Sequence, residues 1–245
     1  GDQVILFVDK STVKTGVGDS VSITAKVTDA NGAFVPGRLV TFTRIGTGDL
    51  QVVSATTDAN GTASATYTPG STDFSNRTVE IVATTNSGGA TSAIEGRTTL
   101  TVNGTRITLG SNLGTNITLS TTPTVTATLL DGNGNPIPNV SLAFSSANSN
   151  AFTPSATGIT NAAGQASANV AVNTAAASNE TITAASALLG ATGSIAFAVT
   201  GTRFDFVTPA LNAELEINGA RTITVRWLEG AAPQTGQVIT FSSTK

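Results

Sequence analysis

Between Ser20 and Thr28 apolar and polar side chains alternate without a break. Val21, Ile23, Ala25 and Val27 fall on one side, and Ser22, Thr24, Lys26 and Thr28 on the other. A period of two with one apolar face predicts a half-buried β-strand. The run ends at Asp29-Ala30-Asn31-Gly32, residue types that tolerate the backbone of a tight turn. Pro36 follows, and then a second predicted strand, Leu39 to Arg44, which buries Val40 and Phe42.

The same pattern recurs about one hundred residues later. Val125, Ala127 and Leu129 alternate with polar neighbours, Asp131-Gly132-Asn133-Gly134-Asn135 forms the turn, and Pro138 precedes Val140, Leu142 and Phe144. The pairs Val27/Leu129, Gly32/Gly134, Pro36/Pro138 and Phe42/Phe144 all share an offset of 102. A constant offset at turn and core positions together identifies an internal repeat.

The second half of the unit repeats as well. Thr57-Asp58-Ala59-Asn60-Gly61 matches Thr160-Asn161-Ala162-Ala163-Gly164, and each opens a strand of alternating small residues that ends at Tyr67 or Val172. A further strand carries Val79, Ile81 and Ala83 in one unit and Ile182 and Ala184 in the other. Closing strands hold Leu100 and Val102, then Ile195, Phe197 and Val199. A third copy opens with Ile223, Val225 and Trp227, and Phe241-Ser242-Ser243 repeats Phe144-Ser145-Ser146 at an offset of 97.

Roughly seven short strands per unit, separated by turn signals, predict an all-β fold of tandem immunoglobulin-like β-sandwiches. The expected divisions are 1–103 and 104–201 for two whole sandwiches, and 202–245 for the opening strands of an incomplete third. The joints Val102-Asn103-Gly104-Thr105-Arg106 and Val199-Thr200-Gly201-Thr202-Arg203 are far shorter than a flexible Gly/Ser tether. They predict an elongated, semi-rigid rod, each sandwich adding roughly 35–45 Å.

Composition narrows the function. The chain has no Cys, Met or His, and only 11% of its 245 residues are charged, with a net charge of −3. An acidic balance argues against nucleic acid, which needs a basic patch to displace counterions. It also argues against an anionic membrane surface. Apolar runs such as Val4-Ile5-Leu6-Phe7-Val8 fall well short of the roughly 20 residues that span a bilayer. No leader sequence is recognisable, which suggests a mature or excised chain. A polar, Thr-rich chain without oxidisable residues suits an extracellular setting.

The motifs Val27-Thr28-Asp29-Ala30-Asn31-Gly32, Val35-Pro36-Gly37, Val40-Thr41-Phe42 and Asp58-Ala59-Asn60-Gly61-Thr62-Ala63 resemble bacterial group 1 immunoglobulin-like domains. Such domains occur in tandem in adhesins of the intimin and invasin type. The second unit keeps Asp131-Gly132-Asn133-Gly134-Asn135-Pro136-Ile137-Pro138 but has Asn161 in place of Asp58. The third departs most, at Leu228-Glu229-Gly230-Ala231-Ala232-Pro233. The resemblance implies a spacer on the bacterial cell surface, attached to the outer membrane through segments outside this sequence. Binders of this family usually add a C-type lectin-like tip, which is not seen here, so no receptor-binding residue carries over.

No catalytic, cofactor-binding or metal-ligating residue is expected, and no cofactor. Without His or Cys there is no imidazole base, no thiolate and no zinc, copper or iron site. The carboxylates Asp58, Asp73 and Glu80 lie in one unit only. Asp29, Asn31, Asp58 and Asn60 have calcium-ligand chemistry but read better as turn residues. Asn60, Asn76, Asn103, Asn116, Asn139 and Asn179 begin Asn-x-Ser/Thr triplets of the number this composition produces. Lys26 faces outward, against an isopeptide role for it, with Lys10 and Lys14 the other candidates. Trp227 reads as core through its alternation with Val225, with ligand stacking as the alternative. Most aromatics sit at core parity, so no exposed aromatic patch is expected.

The leading expectation is therefore a non-enzymatic extracellular stalk segment. Its partners would be neighbouring Ig-like domains of the same chain, with a host surface or self-association possible. No nucleic acid and no membrane insertion of this segment are expected. A strand-sharing or side-packing filament subunit and a protein- or glycan-binding module are the alternatives.

Overall fold

The computed structural model describes residues 1–86, 93–119, 121–172, 179–209, 214, 219–229, 232–236 and 238–242. The first unit comprises β1 (Gln3–Val8), β2 (Thr12–Lys14), β3 (Val21–Thr28), β4 (Thr41–Ile45), β5 (Asp49–Ser54), β6 (Thr62–Thr68), β7 (Arg77–Asn86) and β8 (Ala93–Asn103). One sheet runs β1-β3-β6-β5 and the other β2-β8-β7-β4. All neighbours are antiparallel except β2, which lies parallel to β8.

The alternation in the sequence decides what lies between these sheets. Val21, Ile23, Ala25 and Val27 are fully buried against Val79, Ile81, Ala83, Leu100 and Val102 of the facing sheet. Each large aliphatic side chain so buried contributes about 1.5–3 kcal/mol. Tyr67 is also fully buried, and its hydroxyl donates to the Thr47 carbonyl at 2.8 Å, which satisfies the one polar atom of the ring.

The second unit repeats the plan with β9 (Arg106–Ser111), β10 (Asn116–Thr118), β11 (Thr124–Leu130), β12 (Ser141–Ser146), β13 (Ala151–Thr153), β14 (Thr157–Ile159), β15 (Gln165–Ala171), β16 (Asn179–Ser186) and β17 (Ala191–Thr200). Its sheets run β13-β15-β11-β9 and β10-β17-β16-β12-β14. Val125, Ala127, Leu129, Leu142, Ile182, Ala184 and Phe197 form the core. Ile23 pairs with Ala65 and Val125 with Ala168, so the place of Tyr67 is taken by Val170, two residues before the expected Val172.

The turns repeat down to single hydrogen bonds. The Asp29 carboxylate accepts the Asn31 and Ala33 N–H groups, and Asp131 accepts those of Asn133 and Asn135. Asp58 caps Asn60 and Thr62, and Asn161 caps Ala163 and Gln165 in the same way. The Thr57 hydroxyl accepts from the Arg38 N–H and donates to the Val35 carbonyl, as Thr160 does with Val140 and Ile137. These side chains hold loops that lack ladder partners.

A fifth sheet contains β18 (Thr202–Thr208), β19 (Thr224–Glu229) and β20 (Ala232–Pro233). Trp227 lies opposite Phe204 in register, with ring centroids 5.4 Å apart. The expected core role is only half met. Trp227 is half-buried, and its neighbours on this sheet, Phe204 and Phe206, remain 54% and 69% exposed. Phe241, expected to repeat Phe144, is 56% exposed and lies outside any strand. The parity is right, but among the described residues no second sheet covers this face, so the exposed aromatics depart from the expectation.

Candidate functional site at the joint between sandwiches

A polar network links separate elements where the first sandwich meets the second. Two loops of the first unit reach across: Thr15 to Val17, between β2 and β3, and Phe74 to Asn76, between β6 and β7. They meet the linker at Thr105, the turn Asp131-Gly132-Asn133 and the turn at Leu189-Gly190.

Thr15 and Thr105 are both buried, and their hydroxyls are 2.8 Å apart. The Gly132 N–H donates to the Thr15 hydroxyl at 2.8 Å, and the Thr105 hydroxyl also reaches the Phe74 carbonyl. A chain of hydrogen bonds therefore runs from a turn of the second unit, through two hydroxyls, to a loop of the first. Asn133 adds a bond from its side-chain amide to the Val17 carbonyl at 2.9 Å. The Asn76 side-chain amide donates to the carbonyls of Thr105 and Gly190, while its oxygen accepts the Thr105 N–H. Its backbone N–H donates to the Leu189 carbonyl at 3.0 Å.

An apolar contact accompanies these bonds. Phe74, in a loop of the first unit, packs against the core cluster of the second. The turn itself must be bare. A Cβ at Gly132 would lie 2.8 Å from Lys14 Cβ, 2.9 Å from the Thr15 nitrogen and 3.1 Å from the Asn103 oxygen. Two of those atoms are backbone and cannot rotate away. Only Gly104 and Thr105 separate β8 from β9 in sequence, but in space the joint is a packed polar interface.

The loop that presents Phe74 and Asn76 is held by Asp73. Its carboxylate accepts the Ser75 N–H at 2.9 Å and the Ser75 hydroxyl at 2.6 Å, and it is also bonded by the Thr47 hydroxyl. Burial pushes this carboxyl up, but the bonds from Ser75 and Thr47 and the charge of Arg77 outweigh it, so the group lies below its ordinary value of 3.8. A depressed carboxyl contributes stability above its unfolded value and loses it as pH falls through the folded one. Thermal melts of the wild type should therefore drop as pH falls below 3.8, and Asp73→Asn should flatten that part of the profile. Identical acid profiles would show that Asp73 does not hold the loop.

The remaining sequence candidates are dispersed. Asp58 caps its own turn, and the Thr62 N–H foremost holds its carboxyl below the usual value. Glu80 pairs with Arg97 at 2.9 Å. Lys10 pairs with Asp19, and the Lys26 ammonium sits 4.3 Å from the Phe34 ring centre. Asn76, one of the Asn-x-Ser/Thr positions, is committed to the joint. Among the described residues no three acidic side chains converge on a metal-sized site, and no helix is long and apolar enough to cross a membrane. Sequence reasoning missed Thr15, Phe74, Asn76 and Gly132 as joint residues. The repeat carried no signal for them, because the joint is made of differences between units.

Several solved structures resemble the chain. The Yersinia pseudotuberculosis adhesin InvE is 18% identical, with a TM-score of 0.44 over 81% of this chain and 58% of that one. The Escherichia coli adhesin FdeC is 22% identical, with a TM-score of 0.35 over 80% and 64%. Invasin, a bacterial integrin-binding protein, is 18% identical, with a TM-score of 0.38 over 96% and 48%. The chain thus spans less than two thirds of each of these structures. No curated protein matches it. The sequence family match falls within the second sandwich and covers about one third of the chain. Residues 118–198, within the β-sandwich whose capped turns are described above, match the bacterial Ig-like domain (group 1) family.

Proposed function

We propose that this chain is a non-enzymatic spacer, a stalk segment of a bacterial cell-surface adhesin or related surface protein. The units divide at 1–103, 104–201 and 202–245. Each contributes length to a semi-rigid rod, at roughly 35–45 Å per sandwich, and the partner of each unit is the next one along the chain. Placement outside the cell follows from the same reading.

The observation that carries this reading is the joint. A tether would join the sandwiches through mobile residues and leave their poles solvated. Here Thr15, Phe74, Asn76, Thr105, Gly132 and Asn133 fill the gap. Such a contact fixes the angle between neighbours and passes tension from one sandwich to the next through several bonds in parallel.

Small-angle X-ray scattering of the wild type and Gly132→Val tests this. The wild type is expected to give a narrow distribution of extended shapes. The variant should broaden that distribution while amide NMR spectra show both sandwiches still folded. A wild-type distribution as broad as the variant's would sink the stalk reading.

A further inference from the structure

The two sandwiches differ along one side. In the second, β14 pairs with β12 from Ser141 to Ala143, and the Phe144 N–H still donates outward to the Ala156 carbonyl at 2.7 Å. The chain covers its own sheet edge. In the first, the matching cover begins at Gly37, whose N–H donates to the Thr57 carbonyl at 2.8 Å. It ends three residues later at Val40, whose N–H donates to the Ala55 carbonyl at 2.8 Å. Before Ala55 the chain crosses to the other sheet instead. β5 pairs with β6 through a register shift between Val52 and Ser54.

The outer edge of β4 is therefore open beyond Val40 among the described residues, and β7 is its one strand neighbour. Outward N–H groups alternate along a strand, so those of Phe42 and Arg44 follow that of Val40. β5 ends the facing sheet on the same side. Between the two edges lies an open groove of about 610 Å³, lined by Phe42, Thr43 and Arg44 of β4 and Asp49, Leu50 and Gln51 of β5.

We infer that this edge is a strand-pairing surface for a second copy of the chain, β4 joining β4 antiparallel about a two-fold axis at Thr43. A free edge is complementary to itself under such rotation. Centring on Thr43 sets Phe42 opposite Arg44 of the second copy. Both residues carry outward backbone groups, so each such pair closes two hydrogen bonds. The same register keeps the two Arg44 side chains from facing each other directly, which would be destabilising. Each incoming Arg44 instead enters a groove walled by Asp49, of opposite charge. In the second sandwich the equivalent edge is already occupied by β14, so the pairing is confined to the first. An edge of five residues buries well under the ~1,200 Å² of stable interfaces, so the association is weak and shows at high protein concentration. This inference stands apart from the stalk reading, which holds whether or not the rods pair.

The chain has no native cysteine, which gives a clean test. Facing residues at a non-hydrogen-bonded position lie about 4.5 Å apart at Cα, within the range of a disulfide. Under mild oxidation Thr43→Cys is expected to form covalent dimers several-fold faster than Thr99→Cys, an exposed position on the inner strand β8 of the same sheet. Sedimentation of the otherwise native chain should show self-association that rises with concentration. Thr43→Lys, which sets two ammonium groups face to face, should abolish it without changing the thermal melt. Equal cross-linking of the two cysteine variants, or equal sedimentation of wild type and Thr43→Lys, would overturn the inference.

Discussion

Gly193→Val is expected to destabilise the second sandwich by about 3 kcal/mol while leaving the first folded. At this point β9 crosses over β17. A Cβ on residue 193 would collide with the Ile107 carbonyl oxygen, and would lie 2.8 Å from its carbon and 3.0 Å from Leu109 Cδ1. Overpacking usually costs about 1–3 kcal/mol because side chains shift. Here the obstacle is backbone, so the cost falls at the upper end. The first sandwich has the same contact at Gly96, where a Cβ would meet the Val4 carbonyl oxygen at 2.6 Å. Amide NMR in rising urea would follow both units. Tyr67, the one tyrosine, reports the first unit by fluorescence. An unshifted urea midpoint for the second unit's signals would show that β9 can move aside.

The second large effect belongs to Glu180. It occupies the register position held by Val79 in the first unit, opposite Phe197 as Val79 is opposite Leu100. It is fully buried. Its carboxylate accepts the Ser146 hydroxyl at 3.0 Å, the Ala147 N–H at 3.1 Å and the Asn150 amide at 2.5 Å. Glu180→Ala removes the acceptor these donors share. Losing a buried hydrogen-bond partner costs about 1–3 kcal/mol, so a total near 3 kcal/mol is expected once the lost packing is included. Glu180→Gln keeps one carbonyl oxygen and should cost less. Urea midpoints would rank wild type above Gln above Ala. A Glu180→Ala protein as stable as the Gln variant would mean the loop from Ser146 to Asn150 finds other partners.

Much of the fold was legible because β-sandwich cores obey parity. Val21, Ile23, Ala25 and Val27, and Val125, Ala127 and Leu129, needed only their alternation to be placed inside, and all are fully buried. Turns were legible for a similar reason, since Asp or Asn ahead of Gly has a local task. The joint was not legible. Phe74 and Asn76 look like ordinary loop residues, and their partners lie far away in sequence. Gly96 and Gly193 lie 97 residues apart, as do Leu100 and Phe197 of the closing strands, so that signal was present but unread. Glu180 broke a rule: a carboxylate at core parity looks like an error until Ser146, Ala147 and Asn150 are seen around it. Trp227 shows the opposite limit, where parity named the face but could not supply the sheet that would cover it.

The bare turn at Gly132 has a consequence for how such a chain can change by duplication. Its counterpart in the first unit, at the offset of 102, is Ala30. A copy of the first sandwich inserted downstream of itself would bring the Ala30 methyl to where Gly132 now has only hydrogen, against Lys14 and the Thr15 backbone. The modules are therefore not freely interchangeable, and reordering them requires a compensating change at this one turn.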